Sequence, residues 1–293
     1  MPAKIVSGAD YIALPSSPTT WLIDPLLPSG GAMLLYGDPK VGKSFAALQL
    51  AEAIQNGDHW LGFLTHRGRV VYIQLDTPRN VWQARIHDLQ QRGHLICPPY
   101  FTDRELLDTW PFNILNLHHF VLLKEALIPI APDLVIIDTI RESHAADEND
   151  STPMQKVIAA LVAATYPAAL CLVSHARKPS QDDGFSLMND NRGSSYVVGR
   201  MDAIVRLTPK TARVGGRSIE EHTLPLERAD SGFWDLATGD LNQLMTSVLR
   251  DPASTSVRAA AQILARKTTK SESACRGQLR RFLRSRSDLK THF

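Results

Sequence analysis

The run Gly37, Asp38, Pro39, Lys40, Val41, Gly42, Lys43, Ser44 fits the spacing GxxxxGK[ST]. Glycines at both ends let backbone N–H groups turn inward around phosphate oxygens. A lysine at the seventh position reaches the β- and γ-phosphates, and the hydroxyl after it ligates Mg2+. The apolar stretch 32–36 before the loop reads as a short strand, and residues 45–55 after it have helical periodicity. The positive end of that helix then points at the same anion. This context predicts an ATP site held by the loop and by Phe45 in the first helical turn, with Ser44 as a Mg2+ ligand.

Three further residues end apolar stretches and so fall at one sheet edge. Asp138 closes LVIID, where a carboxylate beside the loop can hold Mg2+. Asp76 follows VVYIQL and can orient an attacking water, although Asp76-Thr77-Pro78 also reads as a helix start. His175 closes CLVSH and can sense the γ-phosphate, or form an ordinary structural hydrogen bond. A fourth residue, Arg206, ends MDAIVR and is the first candidate for an arginine finger acting on a neighbouring subunit, with Arg192 and Arg200 as alternatives.

The elements that must position these groups alternate between strand and helix. Strands are expected near residues 32–36, 69–75, 133–138 and 168–174, with helices at 45–55, 81–92, 118–128 and 153–164. Ser151 or Thr152 would cap the last of these, and the acidic residues Asp147, Glu148 and Asp150 read as a solvated loop in front of it. Further strands are expected around 203–207, 223–228 and Trp234. This order predicts an α/β fold with a mostly parallel twisted sheet covered by helices on both faces. Residues 1–30 read as an N-terminal arm, 31–245 as the ATPase core and 250–293 as a C-terminal module.

A hydrophobic share of 44% and a charged share of 21% over 293 residues are those of a globular protein. No apolar run approaches the ~20 residues that span a bilayer, and no signal peptide is evident, so the expectation is a cytoplasmic chain with no membrane partner. Cys97, Cys171 and Cys275 are too scattered for a zinc site or disulfide framework, and Cys171 reads as a core residue. The net charge of +2 conceals an asymmetry. Eleven Lys or Arg against three acids from Arg250 onward make that segment +8 and leave −6 for the remainder. Residues 256–265 and 271–283 read as two helices, the second carrying Arg276, Arg280, Arg281 and Arg284. This basic helix-turn-helix-like pattern suits a polyanion, with packing on the core or a neighbour as the alternative.

Taken together, GDPKVGKSFAALQLA, VVYIQLDTPRNVWQARI, LVIIDTIRESHAADENDSTPMQKVI, LVSHARKP and RGSS resemble the RecA-like superfamily. Within it they are most similar to the RepA-type plasmid replicative helicases. The resemblance covers about residues 24–207. It implies a RecA-like core assembled as a ring or filament, a hexamer in the first instance, with Mg·ATP between subunits. It supports Lys43, Ser44 and Asp138 in the roles above, and places His175 where the family has a polar sensor. It also places Asp76 where the family usually has Glu. The shorter side chain makes weak hydrolysis, or an ATP-switched DNA-binding role, the alternative to a motor. The loop after the sensor lines the DNA channel in such proteins, which makes Arg177 and Lys178 candidate contacts to single-stranded DNA, although Asp182, Asp183 and Asp190 share that loop. A small-molecule kinase is the third reading.

Overall fold

Apolar residues alternate along the central strands and divide into two cores, one on each face of the sheet. The structure is a computed structural model that describes residues 5–14, 18–108, 111–148, 150–176, 195–237, 245, 248–249, 256–266, 275–277, 279–280 and 283. Its elements begin with α1 (Gly8–Ala13), β1 (Trp21–Asp24), β2 (Leu27–Pro28), β3 (Ala32–Gly37), α2 (Lys43–Asn56), β4 (His59–Trp60) and β5 (Phe63–Thr65). Next come β6 (Val70–Gln74), α3 (Arg79–Gln91), β7 (Tyr100–Asp103), α4 (Leu117–Leu127), β8 (Leu134–Asp138), a 3-10 turn (Ile140–Ser143), α5 (Ser151–Thr165) and β9 (Ala169–His175). The remaining elements are α6 (Ser195–Arg200), β10 (Ala203–Leu207), β11 (Thr211–Gly216), β12 (His222–Arg228), β13 (Trp234–Leu236) and α7 (Val257–Arg266).

Among the described residues the main sheet has nine strands, in the order β13-β12-β11-β10-β3-β9-β8-β6-β7. From β10 to β7 every pairing is parallel, and from β10 to β13 every pairing is antiparallel. Successive strand residues face opposite sides. Met33, Leu35, Tyr72, Ile136 and Cys171 therefore join the core beneath α2 and α3. Leu34, Tyr36, Ile73, Ile137 and Leu172 join the core beneath α4, α5 and α6. Burial on both faces is why these strands read as continuous apolar runs. Burial also pushes the Cys171 thiol well above its usual pKa, as fits a core residue.

Helix α2 is fixed from two sides. The buried Gln49 side chain donates to Trp234 O at 2.8 Å and accepts from Trp234 N at 3.0 Å, tying the helix to β13. The Trp60 indole donates to Ala46 O at 3.0 Å and the Thr65 hydroxyl to Ala53 O at 2.9 Å. Both come from a second, four-stranded sheet of order β2-β1-β5-β4. Its strand β1 and the following turn bury Leu22, Ile23, Leu26 and Leu27 in the α2 core. The expected arm of residues 1–30 is therefore corrected over residues 21–28, which belong to the core because their apolar side chains back the P-loop helix. Helix α1, in the same region, buries no residue. The cap of α5 is also corrected: Asp150, not Ser151 or Thr152, accepts from Thr152 N at 2.9 Å.

Toward the C-terminus, Ala260, Ala261 and Leu264 of α7 pack with Cys275, Leu279, Leu283, Met245, Val248 and Leu249 in a third core. Helix α7 matches the expected 256–265 helix. The second expected helix, and with it Arg281 and Arg284, falls mostly outside the described residues. Among the described residues, no helix is long and apolar enough to cross a membrane.

Candidate active site

The parallel strands end together, and their register gathers the chemistry. Gly37 lies beside His175 on one side and Leu207 on the other. Asp138 lies beside Gln74 and Val173. Between β3 and α2 the chain turns through left-handed backbone at Lys40 (φ 65°) and Gly42 (φ 102°). Gly37 is required by space, since a Cβ there would lie 2.4 Å from Leu207 O. Gly42 is the N-cap of helix α2 and offers no side chain, so the first amides of the helix have no capping side chain competing with an anion.

Lys43 is 6% exposed. Its ammonium donates to Gly37 O at 3.1 Å and Asp38 O at 3.0 Å, and lies 3.2 Å from His175 Nδ1. An ammonium has no lone pair to accept with, so Nδ1 accepts and the remaining ring proton sits on Nε2. Burial lowers the Lys43 pKa, while the nearby carboxylates of Asp138, Asp38 and Asp76 work against that shift. A polyphosphate in the loop supplies the counter-charge that this buried cation calls for.

Asp138 is 1% exposed. Burial raises its pKa, hydrogen bonds from the Ser44, Tyr72 and Gln74 side chains oppose the rise, and the Asp76 charge adds to it. The Tyr72 hydroxyl donates at 2.7 Å and the Gln74 amide at 3.2 Å, both to Oδ2. Burial, and then the Asp138 charge, push the Tyr72 phenol well above its ordinary range. The buried carboxylate joined to the Ser44 hydroxyl fits a divalent cation, whose charge would offset the desolvation that now disfavours the ionised form. Ser44 and Asp138 are the residues that would hold Mg2+, and the ion would neutralise charge on the transferred phosphate.

Asp76 is exposed just beyond β6 and is tied into the same network. Gln74 Oε1 accepts from Asp76 N at 2.9 Å and Thr77 N at 3.0 Å. Helix α3 begins after Pro78 without a side-chain cap, so the competing capping role of Asp76 is not taken up. The strand register places Gln74 and Tyr72 on the face of β6 that bears Asp138. Both were missed from the sequence, although polar groups at alternate positions of VVYIQ were the available signal.

Two arginines complete the surroundings without any such signal. The guanidinium carbons of Arg85 and Arg228 lie 5.0 and 5.2 Å from the Phe45 ring centroid. A Cβ on Gly42 would come within 3.3 Å of the Arg228 guanidinium. Arg206 is placed differently. It is 9% exposed and lies beside Tyr36 in the register, on the sheet face away from α2. Helix α6 carries Arg200 exposed at its end. Arg177, Lys178 and Arg192 lie outside the described residues. Arg276 is half-buried in the C-terminal module and Arg280 is exposed.

A phosphate cradle, a buried carboxylate joined to its hydroxyl, and a strand separating β3 from β8 define a P-loop ATPase with a RecA-like core. A family model described as AAA domain matches residues 2–181, more than half of the sequence. The chain belongs to this AAA domain family. Among solved structures, a KaiC-like protein from Pyrococcus horikoshii OT3 is similar at 14% identity and a TM-score of 0.45, over 72% of this chain and 91% of that one.

Proposed function

We propose that this chain is an oligomeric, Mg·ATP-dependent ATPase acting on DNA, a RepA-like helicase or remodelling enzyme of replication or recombination. The observation that carries this reading is the 3.2 Å contact between Lys43 and His175. Nucleotide that draws Lys43 toward its γ-phosphate changes the partner of His175, and Arg177 and Lys178 follow two and three residues later. The ATP state is thereby connected to the segment that the RepA resemblance assigns to single-stranded DNA. A tail of charge +8 on a body of −6 adds a second affinity for a polyanion, with Arg276, Arg280, Arg281 and Arg284 as contacts. Asp76 orients the water, and Arg206 or Arg200 of an adjacent copy supplies the finger in a ring or filament.

One observation favours a second reading. Asp76 is exposed and one methylene shorter than Glu, which suits slow hydrolysis and an ATP-switched DNA-binding protein. Turnover with and without single-stranded DNA, in wild type and Asp76→Asn, separates the two. The motor requires DNA-stimulated turnover that drops about a hundredfold in Asp76→Asn with nucleotide affinity retained. Nucleotide-dependent DNA binding without stimulated turnover sinks the motor and leaves the switch.

A further inference from the structure

A separate cavity of about 330 Å3 lies between the segment before α4 and the 3-10 turn that follows Asp138. The two walls are joined by Ile114 N, which donates to Ser143 O at 2.9 Å. His144 lines the cavity and is 6% exposed. Its Nδ1 accepts from Ala146 N at 3.2 Å, which puts the ring proton on Nε2. That Nε2–H is buried and has no hydrogen-bond partner among the described residues. A buried donor left in this way is destabilising and is a reason to look for a ligand.

The rest of the lining is also rich in donors. His119 stacks on Phe112 at 5.7 Å, and its Nδ1 accepts from Asn113 N at 3.0 Å, so its Nε2 likewise carries the proton. Asn113 and Asn116 spend their side-chain oxygens on Leu115 N and His118 N, which leaves each amide its NH2 group. Arg141 supplies a cation, and Glu142 is the single acid among the lining residues. Two imidazole N–H groups, two amides and a guanidinium call for an acceptor with several oxygens. An acid beside them calls for a ligand that also has one proton to give. Hydrogen phosphate, or a phosphomonoester bound as its monoanion, has anionic oxygens and a P–OH and meets both conditions, whereas a phosphodiester has no proton for Glu142.

We propose that this cavity is a second anion site, which binds a phosphate monoester or inorganic phosphate through His144, His119 and Arg141. The site is separate from the P-loop, and the turn that builds its wall continues directly from the Asp138 strand.

The test is calorimetric titration of inorganic phosphate into the full chain with its P-loop filled by Mg2+ and a non-hydrolysable ATP analogue. A parallel titration into nucleotide-free Lys43→Ala makes the result independent of the ATP reading. His144→Phe keeps the ring volume and removes the donor, and exposed Arg141→Gln removes the cation. Each should weaken phosphate binding about tenfold or more, while affinity for the ATP analogue stays at the wild-type value and reports that the chain is folded. Oligonucleotides with and without a 5′-phosphate distinguish the sources. A preference for the 5′-phosphate that His144→Phe abolishes identifies a strand end, and no preference identifies free phosphate. Absence of phosphate binding in wild type, or equal affinity in wild type and both variants, overturns the proposal.

Discussion

Gln74 is the residue on which the two carboxylates of the site depend. Its amide nitrogen holds Asp138 and its oxygen holds the amides of Asp76 and Thr77. Gln74→Leu should keep the strand buried yet release both ends of this bridge. We expect kcat to fall about tenfold and the Mg2+ concentration for half-maximal turnover to rise, with ATP affinity nearly unchanged. Asp138 carries the opposite balance between stability and function. Burial raises its pKa, so ionised Asp138 costs folding free energy at neutral pH. Asp138→Asn should therefore raise Tm at pH 7 in the absence of nucleotide while abolishing Mg2+-dependent turnover. A variant that melts lower than wild type would contradict this account of the buried charge.

Helix α2 owes its position to contacts made far along the chain. The Gln49 amide satisfies both the N–H and the C=O of Trp234. Gln49→Leu leaves that backbone pair unsatisfied and should cost about 1–3 kcal/mol in a denaturant titration. The loop itself should loosen as well, seen as a higher KM for ATP with a smaller effect on kcat. The strands that carry these contacts were only partly legible. β3, β6, β8 and β9 stand out as apolar runs because both of their faces are buried. β4, β5 and β7 span two, three and four residues, too few for a period to show. β11 reads TARVGG, with only the small side chains of Ala212 and Val214 in the core, and it pairs with β10 and β12 on its two sides.

At the scale of the whole molecule, Arg79 and Asp103 tie the start of α3 to the end of the edge strand β7. The guanidinium makes two hydrogen bonds to the carboxylate, of 2.8 and 2.7 Å. That bonding holds the Asp103 pKa below its ordinary value, and partial burial opposes it. A depressed native pKa means that the unfolded chain takes up the proton first. The contribution is thus fully present above the unfolded value of about 3.9 and is lost as pH falls through the lower native value. Arg79→Gln should weaken the acid-side loss of Tm in this window and leave its alkaline side alone. Melting curves from pH 7 to pH 2 check this.

The sequence alone determined the nucleotide chemistry and the class of fold. A loop that must cradle phosphate needs glycine, lysine and hydroxyl at fixed local spacing, and doubly buried strands must be apolar throughout. Only the tertiary structure decided which distant groups serve that loop. Gln74 and Tyr72 reach Asp138 because β6 and β8 pair in one register, and Arg228 reaches Gly42 because the sheet extends past β10 in antiparallel order. It also decided that Arg206 lies on the sheet face away from α2, since one residue of strand register moves a side chain to the other face. The His144 cavity has the same origin. Its walls are joined by a backbone hydrogen bond and by core packing between segments about thirty residues apart, and no local pattern records that meeting.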